Sequence, residues 1–228
     1  MGSLLWISRC TRPDICFVGH KATRQTHKPT TKDWKTAKRI TRDLKMSKDL
    51  KLHLGGDVSA SKDILVECWS DAELAVDKSK SSSIAGCILT MDKSVILWLC
   101  KKQSGVSLST MEAEFIAASQ AGRELLGMKG LLDELELSVI KTMPMWMNNQ
   151  AAIKQIDSER STSSAMHVNI RFELICNHSK EGIVAPRFVK YQDMMADILT
   201  KSLPAPRMEE LRAMFGLKTT QDETEEEC

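Results

Sequence analysis

Residues 82–100 read SSIAGCILTMDKSVILWLC, two apolar, β-rich runs joined through Asp92 and Lys93. A connection this short between two such runs predicts a β-hairpin. Upstream, residues 64–71 read ILVECWSD, with the alternating pattern of a strand that ends near Asp71. We therefore expect three consecutive antiparallel strands, with Asp71 at the end of the first.

Helical and strand-like segments alternate after the hairpin. The pattern predicts an α/β fold with a mixed five-stranded sheet flanked by helices, because three meandering strands are followed by βα units. The predicted segments are a long helix from about Thr110 to Leu135, a strand at 141–147, a helix at 149–158, a helix at 167–177, a strand at 183–190, a short helix at 194–201 and a last helix at 207–215.

The first 54 residues have a different character. Thr30 or Thr31 can cap a helix in which apolar residues recur at helical spacing between basic ones. Gly55 and Gly56 then begin a polar linker before the strand pattern starts. We expect a small, mainly helical segment at 1–59, weakly packed on an α/β domain at 60–203.

Beyond residue 203, a helix is expected at 204–217 after Pro204 and Pro206. The tail at 218–228 carries five acidic residues and little apolar content, so it is predicted to be disordered.

Composition narrows the class of protein. The chain is 42% hydrophobic and 27% charged, with no apolar run of 18 residues, so no membrane span is expected. Its seven cysteines are scattered without paired spacing, which is typical of free thiols in a reducing compartment. We expect an intracellular protein, cytoplasmic or nuclear, without a disulfide framework or zinc site.

Charge is unevenly distributed along the chain. Residues 1–60 carry 13 Lys and Arg against five Asp, although the whole chain has a net charge of only +2. A basic segment of this kind suits a nucleic-acid backbone. A solvated basic surface explains the same composition, and charge alone does not separate the two interpretations.

Two acidic positions stand where the predicted elements would bring them together. Asp71 follows a buried strand, and Glu114 lies on the helix face that must cover the sheet. A carboxylate on that face needs a partner, and a metal ion would supply one. Glu112 is instead expected to form a capping box with Ser109. Taken alone, Asp71 is more typical of a turn residue.

Two further positions complete the set. Asn148 ends the strand at 141–147, where it could either face a metal site or cap the next helix. Asp197 lies in the short helix after the last strand, and its neighbour Asp193 is expected to be the helix N-cap. Several carboxylates that converge on one point could hold two Mg²⁺ ions about 4 Å apart. Asn148 places a neutral amide where such a set usually has a negative charge.

Seven stretches of the sequence carry a family resemblance. Together they are similar to the C-terminal part of the Pol polyprotein of copia-class LTR retrotransposons, at the end of the reverse transcriptase region and through the ribonuclease H domain. The stretches are 2–6, 11–15, 69–73, 108–117, 147–153, 167–172 and 195–204.

The resemblance implies a ribonuclease H-like fold and cleavage of the RNA strand of an RNA–DNA hybrid with two Mg²⁺ ions. It implies catalytic roles for Asp71, Glu114, Asn148 and Asp197, with the three carboxylates as metal ligands. It implies an RNA–DNA hybrid or other nucleic acid as the partner, with a full-length reverse transcriptase as a further candidate partner.

The chain departs from the family pattern in named places. Asn148 replaces an Asp, Asn169 replaces another, and Glu173 replaces a His. Tyr191 is the only Tyr, so no Tyr-x-Asp-Asp polymerase site is present. We expect a decayed or truncated copy with impaired nuclease activity. The alternatives are a non-catalytic nucleic-acid-binding remnant and a fragment without function.

Overall fold

The computed structural model describes residues 1–24, 26–55, 63–77, 82–158 and 169–219. Seven strands and eight α-helices are described, together with single 3₁₀ turns at Pro13–Ile15 and Tyr191–Asp193. In chain order they are α1 (Gly2–Cys10), α2 (Cys16–Thr23), α3 (Thr31–Met46), β1 (Leu50–Leu52), β2 (Val66–Asp77), β3 (Ser82–Met91), β4 (Ser94–Lys102), α4 (Thr110–Glu134), β5 (Met143–Met147), α5 (Gln150–Asp157), α6 (Asn169–Lys180), β6 (Val184–Phe188), α7 (Asp197–Thr200), α8 (Ala205–Met214) and β7 (Leu217–Thr219).

The main sheet has five strands in the order β4-β3-β2-β5-β6. β2, β3 and β4 form an antiparallel meander, and β5 and β6 run parallel to β2. The expected mixed five-stranded sheet is confirmed. β2 is longer than predicted, so Asp71 lies within the strand and not at its end.

The predicted hairpin is present at Asp92 and Lys93. Both residues have positive φ, 47° and 67°, as a two-residue turn matched to the strand twist requires. β3 is buried along nearly its whole length because helices cover both of its faces. The hairpin pairs β3 with β4, and the other edge of β3 pairs with β2, so β3 is an inner strand of the sheet.

One face of the sheet is covered by the long helix α4. Its apolar face, with Ala118, Ala121 and Leu125, packs in a fully buried core with Met143 and Met145 of β5. Burial of such side chains is worth roughly 1.5–3 kcal/mol each for the larger ones. The helix was expected at 110–135 and is observed at Thr110–Glu134.

The other face packs against segments from both ends of the chain. The core there includes Cys16 of α2, Trp98 of β4, and Leu211 and Phe215 around α8. The indole Nε1 of Trp98 donates a hydrogen bond to the carbonyl of Ser8 at 2.8 Å. The N-terminal helices are therefore bound directly to the sheet.

A two-stranded antiparallel sheet also joins the two ends, with Leu50 opposite Thr219 and Leu52 opposite Leu217. The sequence pattern did not predict β1 or β7, since three-residue strands are too short to show a period. Lys218 and Thr219 thus lie in a strand, contrary to the disorder expected for the tail. The remainder of that tail and the linker at 56–62 lie outside the described residues.

A buried ionic network ties α8 to the N-terminal segment. Asp14 accepts from Arg12 at 2.8 Å and from Arg212 at 2.7 Å, and its side chain is fully buried. Arg212 also pairs with Asp43 of α3 at 3.0 Å. The expectation of weak packing by residues 1–54 is therefore wrong. It rested on local sequence patterns, which do not reveal ion pairs between residues far apart in the chain. The segment is mainly helical, as expected.

In the described part of the chain, no helix is both long enough and apolar enough to cross a membrane. The predicted boundaries at 59, 203 and 217 stay predictions.

Candidate acidic site

Parallel pairing of β2 and β5 brings Asp71 and Asn148 together. Cys68 is opposite Met145 and Trp69 is opposite Trp146, and this register continues to the two polar residues. The amide Nδ2 of Asn148 donates to Oδ1 of Asp71 at 3.2 Å. Asn148 therefore faces the acidic site.

Asn149, not Asn148, caps the following helix. Its side-chain oxygen accepts from the backbone N–H of Ala152 at 3.0 Å, as a helix N-cap does. The capping alternative for Asn148 is therefore wrong, and its amide is left to contact Asp71.

The start of α4 separates the two glutamates. The Ser109 hydroxyl accepts from the backbone N–H of Glu112 at 3.1 Å, while the Glu112 carboxylate accepts from the N–H of Leu108 at 2.8 Å. The expected capping box is thus only half formed. The Glu112 carboxylate bonds to the backbone N–H of Leu108 and not to that of the N-cap residue, Ser109. Glu114 is turned to the sheet and buried, at 6% exposure.

Asp197 approaches from α7, on the face of the sheet opposite α4. Asp197 and Thr200 are both fully buried, and the Thr200 hydroxyl donates to Oδ2 of Asp71. Asp193 was expected to be the N-cap of this helix, which is wrong. It ends the 3₁₀ turn at Tyr191–Asp193, and α7 starts after Ala196 with no side-chain cap.

Lys201 also belongs to the site, although it was not among the predicted site residues. Its ammonium donates to Oδ1 of Asp71 at 3.2 Å and to Oδ1 of Asp197. It also lies 4.9 Å from the ring centroid of Tyr191. The i, i+4 spacing of Asp197 and Lys201 was the available signal. Its link to Asp71, across 130 residues, was not visible in the sequence.

Burial and mutual repulsion perturb the carboxylates. Burial is the largest cause, and repulsion by the negative charge of Asp71 is the second. Together they raise the pKa of Glu114 to about 9 and that of Asp197 to about 6. Desolvation alone would lower the pKa of Lys201, but Asp71 and Asp197 outweigh it and raise this pKa. At neutral pH the site therefore contains a protonated Glu114 and a charged lysine.

The donor chemistry of the site suits a hard divalent cation. Oε2 of Glu114 and Oδ2 of Asp197 are buried without a hydrogen-bond partner, and buried oxygens of this kind are Mg²⁺ ligands elsewhere. Among the described residues, however, no three Asp, Glu, His or Cys side chains already form a group that could hold a metal. Lys201 stands between two of the carboxylates. The residues thus fit such an ion in chemistry, and their roles as catalytic groups and ligands stay predictions.

An open groove of about 740 Å³ adjoins the site. Thr200 and Lys201, which both bond to Asp71, line this groove together with Lys21, Glu73 and Tyr191. A groove with cationic and aromatic side chains beside a set of carboxylates can admit an extended anionic chain to the acidic residues.

No protein-family model matches the chain. It is 29% identical over 217 residues to the retrovirus-related Pol polyprotein from transposon TNT 1-94 of Nicotiana tabacum. It is 27% identical over 217 residues to the corresponding polyprotein from transposon RE2 of Arabidopsis thaliana. Each alignment covers 95% of this chain, but the chain spans only 16% and 15% of the length of these relatives.

Among solved structures, the crystal structure of LC11-RNase H1 in complex with an RNA/DNA hybrid is similar at 16% identity and a TM-score of 0.45. The alignment covers 59% of this chain and 93% of that one. The polyproteins confirm the family resemblance of the sequence, because the alignments extend over 217 residues and so include the seven stretches that carry it. Over 95% of its length, this chain is homologous to a segment of the retrovirus-related Pol polyproteins of plant transposons.

Proposed function

We propose that this chain is a ribonuclease H-like protein that hydrolyses the RNA strand of RNA–DNA hybrids with Mg²⁺, slowly because of Asn148. One observation carries the proposal. Three buried carboxylates, on β2, α4 and α7, are close enough for the charge of Asp71 to raise the pKa of the other two, and each of those two keeps an oxygen without a hydrogen-bond partner among the described residues. Burial of several acids together is unfavourable unless a cation or proton compensates them.

Asp71, Glu114 and Asp197 would hold the metal, with Asn148 beside Asp71. Bound Mg²⁺ would supply an activated water and stabilise the charge that develops on the phosphate. The Thr200 hydroxyl orients Asp71 through a buried hydrogen bond. Glu114 must lose its proton to become a ligand, and its raised pKa opposes that loss at neutral pH.

Lys201 compensates the carboxylates when no metal is bound. Its ammonium contacts Asp71 and Asp197, so it would have to move away as a divalent ion enters. Its position over Tyr191 and on the wall of the groove leaves it close to an incoming phosphate backbone. A nucleic acid in that groove would give the released ammonium a new anionic partner.

Asn148 lowers the charge of the site. A change from Asp to Asn keeps the shape and removes one negative charge that would attract metal. A loss of about 3–4 kcal/mol of transition-state stabilisation slows a reaction by roughly 10²–10³. The proposed hydrolysis is therefore weak in the chain as it stands.

The test compares two single substitutions that add the same charge one residue apart. Asn148→Asp places a carboxylate beside Asp71, whereas Asn149→Asp keeps a good helix cap and faces away from it. With an end-labelled RNA strand in an RNA–DNA hybrid and Mg²⁺, we expect Asn148→Asp to raise cleavage by about 10²–10³ and Asn149→Asp to leave it unchanged.

Asp71→Asn should abolish cleavage, which excludes a contaminating nuclease. RNA–RNA and DNA–DNA duplexes should not be cleaved, since the RNA 2′-OH and the hybrid shape are expected to select the substrate. Strong cleavage by the unchanged chain, with no response to Asn148→Asp, would rule out this role for Asn148.

A second candidate is a nucleic-acid-binding protein without catalysis. It is favoured by the exposed face of α3, where Lys38 lies over the ring of exposed Trp34 at 5.2 Å and the other basic residues face solvent. Hybrid binding that weakens linearly with log salt, with no cleavage even by Asn148→Asp, would support this candidate. Absence of both binding and cleavage would indicate a fragment without either activity.

A further inference from the structure

A second polar cluster lies away from the carboxylates, where α2 meets the end of β4. Trp98, Cys100 and Lys102 alternate along one face of β4, and the first of these bonds to Ser8 while the second contacts Cys16. His20 lies one turn beyond Cys16, on the same face of α2. Because Cys16 contacts Cys100, the next residue on this face of α2, His20, lies beside the next residue on that face of β4, Lys102.

Arg9 and Arg24 complete this group. Burial is the largest cause of the lowered pKa of His20. The positive charges of Arg24, Arg9 and Lys102 lower this pKa further. The charged groups that act on this imidazole are thus all cationic. We call Arg9, His20, Arg24 and Lys102 the basic cluster.

The basic cluster keeps buried nitrogen atoms without partners. Nε and Nη2 of Arg24 and Nδ1 of His20 are inaccessible to solvent and have no hydrogen-bond partner in the described part of the chain. Buried donors in folded proteins are nearly always paired, with protein, water or a ligand. The two guanidinium nitrogens of Arg24 can only donate, so they indicate a missing acceptor.

Elsewhere the chain satisfies its buried guanidinium groups with acids. Arg12 and Arg212 both bond to the carboxylate of Asp14, and Arg212 bonds to Asp43 as well. Among the described residues, Arg24 has no such partner. The difference points to an acceptor outside the described part of the chain.

We propose that the basic cluster binds a phosphate group. A phosphate has several acceptor oxygens, which suits two guanidinium groups, an imidazole and an ammonium that converge from three elements. The planar donors of Arg24 match phosphate geometry, and Lys102 adds a point charge. The phosphate could come from a nucleic-acid backbone or from free phosphate, and this proposal does not depend on the nuclease activity.

The first experiment is a calorimetric titration of the full chain with inorganic phosphate, at constant ionic strength against chloride. We expect saturable binding that Arg24→Gln weakens about tenfold, the cost of one charge-assisted hydrogen-bond pair. Arg187→Gln is the matched control, because Arg187 is exposed on β6, at the opposite edge of the sheet. Circular dichroism checks the fold of each variant.

Lys102→Gln provides an independent variant if Arg24→Gln does not fold. It should weaken phosphate binding while Lys154→Gln, an exposed change on α5, should not. The absence of saturable phosphate binding would overturn the proposal. Equal binding by the wild-type chain, Arg24→Gln and Lys102→Gln would also overturn it.

A second arm identifies the source of the phosphate. Hybrid binding is measured against salt in EDTA, so that cleavage cannot contribute. If the cluster holds a backbone phosphate, Arg24→Gln should reduce the slope of log K against log salt by about one. An unchanged slope, together with weakened inorganic phosphate binding, assigns the site to free phosphate. Both readouts are independent of hydrolysis, so they can succeed where the proposed nuclease fails.

Discussion

Lys201 lies between Asp71 and Asp197, with its ammonium 3.2 Å from Oδ1 of Asp71 and hydrogen-bonded to Asp197. Both carboxylates are fully buried, while the lysine side chain is 17% exposed. The site therefore contains an internal cation that can reach solvent. This contact makes the carboxylates stable without metal and places an ammonium where a divalent ion would compete.

Removal of that ammonium should destabilise the metal-free protein. Lys201→Gln leaves two buried carboxylates without their cation, and breaking a buried pair costs roughly 3–5 kcal/mol. Partial exposure of Lys201 puts the expected loss near the lower value, about 3 kcal/mol. Urea denaturation in EDTA measures it.

The control for this prediction is Lys129→Gln, which removes an exposed pair with Asp133 and should cost less than about 1 kcal/mol. Addition of Mg²⁺ should raise the stability of Lys201→Gln more than that of the wild type, since the competing ammonium is gone. Equal Mg²⁺ responses would contradict competition at this site.

Stability without metal should fall as pH rises. Glu114 has a pKa of about 9 in the folded protein, against an ordinary value of 4.5, so the folded state holds a proton that the unfolded state loses. Between these two pKa values the folded state binds more protons than the unfolded state, so the free energy of unfolding decreases as the pH rises from 4.5 to about 9. Asp197, whose pKa is raised from 3.8 to about 6, adds to this decrease only below about pH 6.

Glu114→Gln should flatten this dependence between pH 6 and pH 9, as urea denaturation in EDTA at several pH values would show. Glu112→Gln is the matched control, because Glu112 bonds to Leu108 at the start of the helix and does not face the site. A slope in Glu114→Gln equal to that of the wild type would mean that Glu114 is not the group that titrates.

Gly86 should be intolerant of a side chain. It lies opposite Asp71 in the register of β2 and β3, and an added Cβ would be 2.7 Å from Cγ2 of Thr200 and 3.1 Å from the carbonyl of Ala196. Gly86→Ala should therefore push α7 away from the sheet, at a cost of about 1–3 kcal/mol. It should also weaken any activity that needs Asp197.

Gly127→Ala is the corresponding change at an open position. Gly127 lies inside α4 with no atom within 4 Å of an added Cβ, so alanine should stabilise the protein by about 0.5–1 kcal/mol. Thermal denaturation of both variants should give shifts of opposite sign. Shifts of the same sign would show that α7 does not pack on Gly86 as described.

The network around Asp14 should be essential for attachment of the N-terminal segment. Arg212→Met removes a guanidinium that bonds to both Asp14 and Asp43, and breaking such a buried network costs roughly 3–5 kcal/mol. Glu210→Gln, which breaks an exposed pair with Arg207 on the same helix, should change stability by less than about 1 kcal/mol.

Urea denaturation measures both variants. Limited proteolysis of Arg212→Met should then release residues 1–54 first, whereas the wild type should resist cleavage there. Resistance of Arg212→Met equal to that of the wild type would show that other contacts, such as the Trp98–Ser8 bond, hold the segment alone.

Local patterns in the sequence predicted most of the α/β domain. The hairpin at Asp92, the long helix at 110–134 and the alternating strands follow from periods of two and of 3.6 residues, which depend only on near neighbours. The choice of Glu114 over Glu112 as the sheet-facing glutamate followed from the same helical period. The short elements at 50–52, 197–200 and 217–219 were missed or misplaced because so few residues show no period.

By itself, then, the sequence determined the order of strands and helices, the family resemblance and the four polar positions Asp71, Glu114, Asn148 and Asp197. Only the tertiary structure decided that Asn149 is the cap and Asn148 faces Asp71, and that Lys201 compensates two carboxylates. It also decided that Arg212 joins both ends of the chain, and that Arg24 has no acidic partner among the residues that the structure describes. These relationships connect residues far apart in sequence, and such contacts form only when the sheet brings their elements together in space.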